Sequence, residues 1–147
     1  MLEKKYLLGG LALFAALLFS AQVFAQADKR QALMKNNSEN TKAIKGAVEA
    51  KDYATVEAKA RDIMGNAEKI VSSFPKGSDT GKTKATPAIW EKSDDFAKAA
   101  KNLGTAASGL ASAAKAKDEA AVTAGVKGVS DACGGCHKAF RAEKYAE

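Results

Sequence analysis

Apolar residues recur every three or four positions in four successive stretches of this chain, which is the spacing of amphipathic helices. The first stretch runs from about Asp28 to Ala50. The second begins after Asp52, a favourable N-cap residue, and ends near Phe74, because Pro75 disfavours helical geometry in the residue before it. No stretch alternates between polar and apolar residues as a half-buried strand does, so the pattern predicts helices only.

The third and fourth helices are predicted to follow a polar, glycine-containing loop over residues 76–86. Thr86 is expected to cap the third helix, with Pro87 at its first position, and Asp118 is expected to cap the fourth. The connections before Asp52 and Asp118 are short, so the helices they join should be antiparallel neighbours. The sequence therefore predicts an all-α fold, an antiparallel up-down-up-down four-helix bundle.

Two features of the predicted helix faces depart from a plain apolar core. Asn37 and Thr41 occupy inward positions of the first helix, where a helix with only apolar neighbours would not place them. They would suit a cofactor edge, bound water or a splayed part of the bundle. In the third helix, Gly104 and Gly109 each cost about 1 kcal/mol relative to alanine, which indicates either close approach of a neighbour or ordinary sequence drift.

Residues 1–25 have the pattern of a secretory signal peptide. Lys4 and Lys5 precede an apolar run of 13 residues, from Leu7 to Phe19, and small residues lead up to Ala25. The run is shorter than the roughly 20 residues that a membrane span needs. We expect cleavage after Ala25, export to the periplasm, and a mature domain of residues 26–147.

Both cysteines and the single histidine of the chain lie in one pentapeptide, Cys133-Gly134-Gly135-Cys136-His137. The spacing C-x-x-C-H is typical of covalent c-type haem attachment. Residues three apart share a helix face, so the two thiols can meet one porphyrin edge and form thioethers. The adjacent imidazole can bind the iron as its proximal ligand. The predicted cofactor is one covalent haem c, attached to Cys133 and Cys136 and ligated by His137.

Other uses of this pentapeptide fit the sequence less well. A redox dithiol of this spacing sits in a βαβ context, and a structural zinc site needs four ligands. The chain offers two cysteines and one histidine. A disulfide between the two cysteines would be strained and would leave His137 unexplained. Export agrees with the haem interpretation, because bacterial c-type haem is attached outside the cytoplasm.

The charge of the chain changes this interpretation little. The net charge is +6, and cleavage of residues 1–25, which hold two lysines and one glutamate, would leave +5. The lysines recur singly, without a dense basic run or interleaved aromatics, so nucleic-acid binding is not predicted. A mild positive charge can steer encounters with acidic partners. The predicted partners are redox proteins, with no membrane span after cleavage.

The four predicted helices, with C-x-x-C-H on the last and Phe140-Arg141 after it, resemble the cytochrome c' family of class II c-type cytochromes. The likeness covers the whole mature chain and includes the segments Arg30 to Met34 and Pro87 to Trp90. The resemblance implies that Arg30 lies near a haem propionate. It also implies that Met34 lies over the distal face of the haem.

The resemblance leaves two functions open. Low-spin members of the family use a methionine at the place of Met34 as the sixth iron ligand and carry electrons, and the polar Asn36 and Asn37 resemble that branch. High-spin members leave the sixth position empty, bind nitric oxide or carbon monoxide and often dimerise. We predict a periplasmic carrier of single electrons with His137 and Met34 as iron ligands. The alternative is a five-coordinate, gas-binding haem with Met34 as a lid.

Neither catalysis nor a tight dimer is predicted. A peroxidase needs a distal acid–base group, often a histidine, and the only histidine, His137, is already used. Dimers of the resembled family use the outer faces of the first two helices. Here those faces carry charged residues such as Lys35, Lys42 and Glu57, which favours a monomer or a weak homodimer.

Overall fold

The structure, a computed structural model, describes residues 27–79 and 83–144 of the chain. The predicted signal peptide and its cleavage site lie outside these ranges. Within them the chain is helical, with no strand and one isolated β-bridge. None of the described helices is both long enough and apolar enough to cross a membrane. The helices are α1 (27–49), α2 (Tyr53–Ile70, continued by the 3-10 turn Val71–Ser73), α3 (Ala88–Glu91), α4 (Ser93–Ala116) and α5 (Glu119–Phe140).

The four long helices form the predicted four-helix bundle around one apolar core. The α2 and α5 helices both pack along α4, and buried residues of α1 join the same cluster. Within the long helices the buried apolar residues recur at helical spacing, as the sequence pattern predicted, which confirms the all-α bundle. The largest fully buried side chains are Ile44, Val56, Ile63, Leu110, Val122 and Val129.

The two short connections are built alike and lie at the same end of the bundle. Lys51 and Lys117 both have a φ of 54°, in the left-handed region that often ends a helix. Asp52 and Asp118 then cap the next helix, each accepting a hydrogen bond from the backbone N–H three residues later, at 3.1 and 3.0 Å. The Lys51 ammonium lies 3.0 Å from the Glu119 carboxylate and so joins the two turns. Because α5 starts at this end, its C-x-x-C-H motif lies at the other.

The prediction for the third helix was wrong in two respects. The side chain of Thr86 is not a cap: its hydroxyl is buried and has no hydrogen-bond partner among the described residues. The helix is also broken at Lys92, whose φ and ψ of −121° and 51° separate α3 from α4. The indole N–H of Trp90 donates to the carbonyls of Phe74 and Pro75, at 3.1 and 3.0 Å. This contact ties the single turn of α3 to the end of α2.

Close helix approach occurs at a glycine that the sequence did not single out. A Cβ atom on Gly125 of α5 would lie 3.1 Å from the Cα, Cβ and Cδ1 atoms of Leu110. Close approach was the wrong interpretation for Gly109, because a Cβ atom there would meet nothing within 4 Å. At Gly104 a Cβ atom would make an ordinary 3.5 Å contact with Ala67. The tight contact between α4 and α5 therefore depends on Gly125.

Alanine should have opposite effects on stability at Gly109 and at Gly125. Gly109→Ala should raise the free energy of unfolding by about 0.5–1 kcal/mol, because alanine is the better helix former and has room. Gly125→Ala gains the same propensity but compresses its methyl group against Leu110, and overpacking costs about 1–3 kcal/mol. We expect a net loss of about 1 kcal/mol. Urea unfolding of both holoprotein variants measures the difference, and equal stabilisation would contradict the close approach.

Candidate functional site

The C-x-x-C-H motif occupies the last two turns of α5. Cys133 and Cys136 are free, half-buried thiols that pack against the core. Burial raises the pKa of both thiols, and for Cys136 the neighbouring Cys133 adds to the effect. Burial, and secondarily the positive charge of Arg141, lowers the pKa of His137. Both effects favour the neutral imidazole, which is the form that binds metals.

A cavity of about 350 Å³ lies beside the motif. Its size falls within the range of small-molecule sites. All of the candidate residues named from the sequence border it: Cys133, Cys136 and His137 from α5, and Arg30 and Met34 from α1. The polar positions Asn37 and Thr41 of α1 border it as well. The apolar part of its wall includes Ile70, Phe74, Ile89, Phe96, Leu103 and Phe140.

Arg30 is a buried cation at the edge of this cavity. Only 5% of the residue is exposed. One guanidinium nitrogen donates to the backbone carbonyl of Ser78 at 2.9 Å, and the guanidinium lies 4.8 Å from the ring centroid of Phe74. Burial lowers the pKa of Arg30, but a guanidinium stays charged in proteins. No carboxylate pairs with it among the described residues, so the site suits an anionic group of a ligand.

Three phenylalanine rings connect Arg30 to the end of α5. The Phe74 and Phe96 rings meet edge to face, with centroids 5.0 Å apart, and Phe96 and Phe140 meet in the same way at 5.2 Å. Such edge-to-face pairs contribute about 0.5–1.5 kcal/mol beyond the area that they bury. The three rings form one part of the apolar wall of the cavity.

A short backbone pairing joins the loop before α3 to the residues that follow the C-x-x-C-H motif. The N–H of Thr86 donates to the carbonyl of Phe140 at 3.2 Å, and the N–H of Ala142 donates to the carbonyl of Lys84 at 2.8 Å. The loop before α3 is thereby bound to the residues that follow His137. No periodicity in the sequence signals this pairing, because it joins two irregular segments that are more than 50 residues apart.

An asparagine cluster joins α1 to α2 next to the cavity. The amide nitrogen of Asn66 donates to the side-chain oxygens of Asn36 and Asn37, at 2.7 and 2.8 Å. The oxygen of Asn36 also accepts from the amide of Asn40 at 3.0 Å. The helical period identified Asn37 as inward, but its partner Asn66 was not predicted, because the pattern of a single helix does not show which helix faces it.

The arrangement fits a flat, largely apolar ring with anionic substituents. The wall offers apolar side chains to the faces of such a ring, Arg30 offers a desolvated cation to an acidic substituent, and two thiols three residues apart offer covalent attachment. His137 and Met34 border the cavity from different helices, and histidine and methionine are the residue types that ligate iron in cytochromes c. These properties agree with the haem c that the motif predicts.

Comparison with known proteins gives the same result. The family model described as Cytochrome C' matches residues 25–141. The chain is 35% identical to cytochrome c-556 of Agrobacterium fabrum over 139 residues, 88% of this chain and 94% of that protein. It is 40% identical to cytochrome c' of Rhodopseudomonas palustris over 124 residues, 79% of this chain and 81% of that protein. Its fold is similar to the crystal structure of cytochrome c' from Thermochromatium tepidum, with a TM-score of 0.74 and 31% identity over 81% of this chain and 95% of that one.

Proposed function

This chain belongs to the cytochrome c' family, which binds one covalent haem c, and from that premise we propose that it carries single electrons in the periplasm with His137 and Met34 as its iron ligands. The observation that supports this proposal best is that one cavity is bordered by the thiols, the imidazole and the thioether together. The haem supplies the one-electron iron couple. The residues of the chain hold the haem, set its ligation and limit access to it.

Attachment and proximal ligation are proposed for three residues of α5. Cys133 and Cys136 lie on one face of the helix and pack against the core, and they would hold the porphyrin through two thioethers. His137 follows directly and would bind the iron through its neutral imidazole. The backbone N–H of Arg141 donates to the carbonyl of His137 at 3.0 Å, which continues the helical hydrogen bonding through the end of α5.

Met34 is proposed as the distal ligand. It is half-buried on α1, packs against the core and borders the cavity. Its unbranched side chain has three rotatable bonds, so its sulfur would be able to turn toward a haem bound in the cavity. Methionine ligation raises the reduction potential and occupies the position where a gas would bind. It therefore favours electron transfer over gas binding.

Arg30 and the surface charge are proposed to act on the haem from outside its ligand sphere. Arg30 binds a haem propionate, which compensates a cation that burial has removed from water. Lys138 is exposed directly after His137. Together with the net charge of +6, or +5 once residues 1–25 are removed, it orients an acidic redox partner toward the haem edge. Val71 is the one large hydrophobic residue exposed in the described ranges, which favours a monomer or a weak homodimer.

Absorption spectra of the protein from the periplasm of a haem-attaching host test this function. We expect a sharp, split spectrum after reduction, the weak long-wavelength band of methionine–iron ligation after oxidation, and no change with carbon monoxide. A broad reduced spectrum that shifts with carbon monoxide would instead favour the gas-binding alternative, with Met34 as a lid. A purified protein without haem bands would contradict both functions.

A further inference from the structure

The side-chain amide of Asn37 has a hydrogen-bonded oxygen and a nitrogen without a hydrogen-bond partner among the described residues. The residue is only 7% exposed and borders the cavity. Its side-chain oxygen accepts the hydrogen bond from Asn66 at 2.8 Å. Its side-chain nitrogen donates to no acceptor among the described residues. The nitrogen is not among the enclosed, unpartnered polar atoms of the described residues, so it keeps accessible surface, and a group that enters the cavity can accept a hydrogen bond from it.

The hydrogen bonds of the cluster fix which way this amide faces. Asn66 uses the same nitrogen for the oxygens of Asn36 and Asn37. Turning the Asn37 amide over would place its NH₂ group against the NH₂ group of Asn66, and neither can accept a hydrogen bond. The oxygen of Asn37 is therefore held toward α2, and its NH₂ group is left as the donor.

Two groups are candidate acceptors: a haem propionate bound by Arg30, and the sulfur of Met34. Helical geometry favours the sulfur. Arg30, the proposed propionate partner, precedes Asn37 by seven residues, which is about 10 Å along the helix axis at about 1.5 Å per residue. Met34 precedes Asn37 by three residues, and residues three apart are neighbours on a helix surface. Both Met34 and Asn37 border the cavity. A thioether sulfur has a second lone pair, which can accept a hydrogen bond while the first binds a metal.

We propose that the side-chain nitrogen of Asn37 donates a hydrogen bond to the sulfur of Met34 and holds it in position to bind the haem iron. Asn37 is then a positioning residue, and Asn66 fixes its amide from α2. The inference rests on the proposed ligation by Met34. It assigns the hydrogen-bonded pair of Asn37 and Asn66 a part in keeping the sixth iron position closed.

Competition by cyanide for the sixth position of the oxidised protein tests this hydrogen bond. Asn37→Leu removes the donor, whereas Asn36→Leu removes the neighbouring exposed amide, which binds the same Asn66 but does not border the cavity. A lost hydrogen bond of about 0.5–1.5 kcal/mol corresponds to a rise in cyanide affinity of about two- to tenfold for Asn37→Leu. Asn36→Leu should leave the affinity and the methionine–iron band unchanged.

Equal affinities in the two variants, or weaker cyanide binding by Asn37→Leu, would overturn the inference. Because Asn37 is buried, leucine also alters packing there, so a measurement on the unaltered protein stands beside the variants. In the NMR spectrum of the reduced protein, the side-chain amide protons of Asn37 should be shifted upfield by the haem ring current, and those of Asn36 should not. Amide protons of Asn37 without that shift would overturn the inference. Loss of the methionine–iron band from the unaltered protein would instead overturn the proposed function.

Discussion

On the proposed ligation by Met34, Met34→Leu is expected to open the sixth iron position and to allow the protein to bind carbon monoxide. Leucine fills a similar volume but has no sulfur, so the iron loses its sixth ligand and the distal position becomes free. The methionine–iron band should disappear, the reduced spectrum should broaden, and carbon monoxide should shift it. The reduction potential should fall by about 0.08 V or more, which is a tenth of the range of roughly 0.8 V over which axial ligands set haem potentials. Spectroscopy and a redox titration measure these changes.

The second methionine of the described ranges provides the control. Met64 packs against the core from α2 but does not border the cavity, so Met64→Leu should match the unaltered protein in its spectrum, its reduction potential and its response to carbon monoxide. Both are volume-conserving exchanges, which usually cost less than about 1.5 kcal/mol. A loss of the sixth ligand in Met34→Leu alone is therefore not an effect of unfolding. An unchanged spectrum in Met34→Leu would exclude Met34 as a ligand.

Helical periodicity was sufficient to predict the bundle, because each long helix buries one stripe and leaves the rest to solvent. The alternation of three and four positions from Phe96 to Ala114 corresponds to the buried face of α4. The caps at Asp52 and Asp118 were also predictable, since a cap is a local interaction over three residues. The motif from Cys133 to His137 indicated the cofactor because its spacing alone carries the chemistry.

Features that depend on contacts between distant segments were not predictable in this way. Thr86 and Pro87 have the composition of a helix start, but the indole of Trp90 binds the end of α2 and the helix breaks at Lys92. Gly109 and Gly125 are alike in sequence, and only the position of Leu110 distinguishes them. The partner of Asn37 is likewise decided by the packing of α2 on α1.

Replacing both motif cysteines by serine is expected to remove the covalent haem and most of the stability of the bundle. Without thioethers, acidified organic solvent should extract any haem from the protein. The denatured protein, once separated from the extract, should show no haem absorption. At about 24 cal/mol per Å³ of residual cavity, the cavity of about 350 Å³ corresponds to at most about 8 kcal/mol. Domains of this size have a total stability of about 5–15 kcal/mol. Circular dichroism during urea unfolding should show a broad transition at low urea.

The loss should not be uniform along the helices. Val56, Leu110 and Val122 are fully buried and do not border the cavity, so part of the helical signal should remain in a loosely packed state that binds a hydrophobic dye. The single variants Cys133→Ser and Cys136→Ser each keep one thioether and His137, and should retain covalent haem and a cooperative transition. A double variant that unfolds as sharply and at the same urea concentration as the holoprotein would show that the apolar core suffices without its cofactor. The cavity beside α5 would then contribute to function and not to folding.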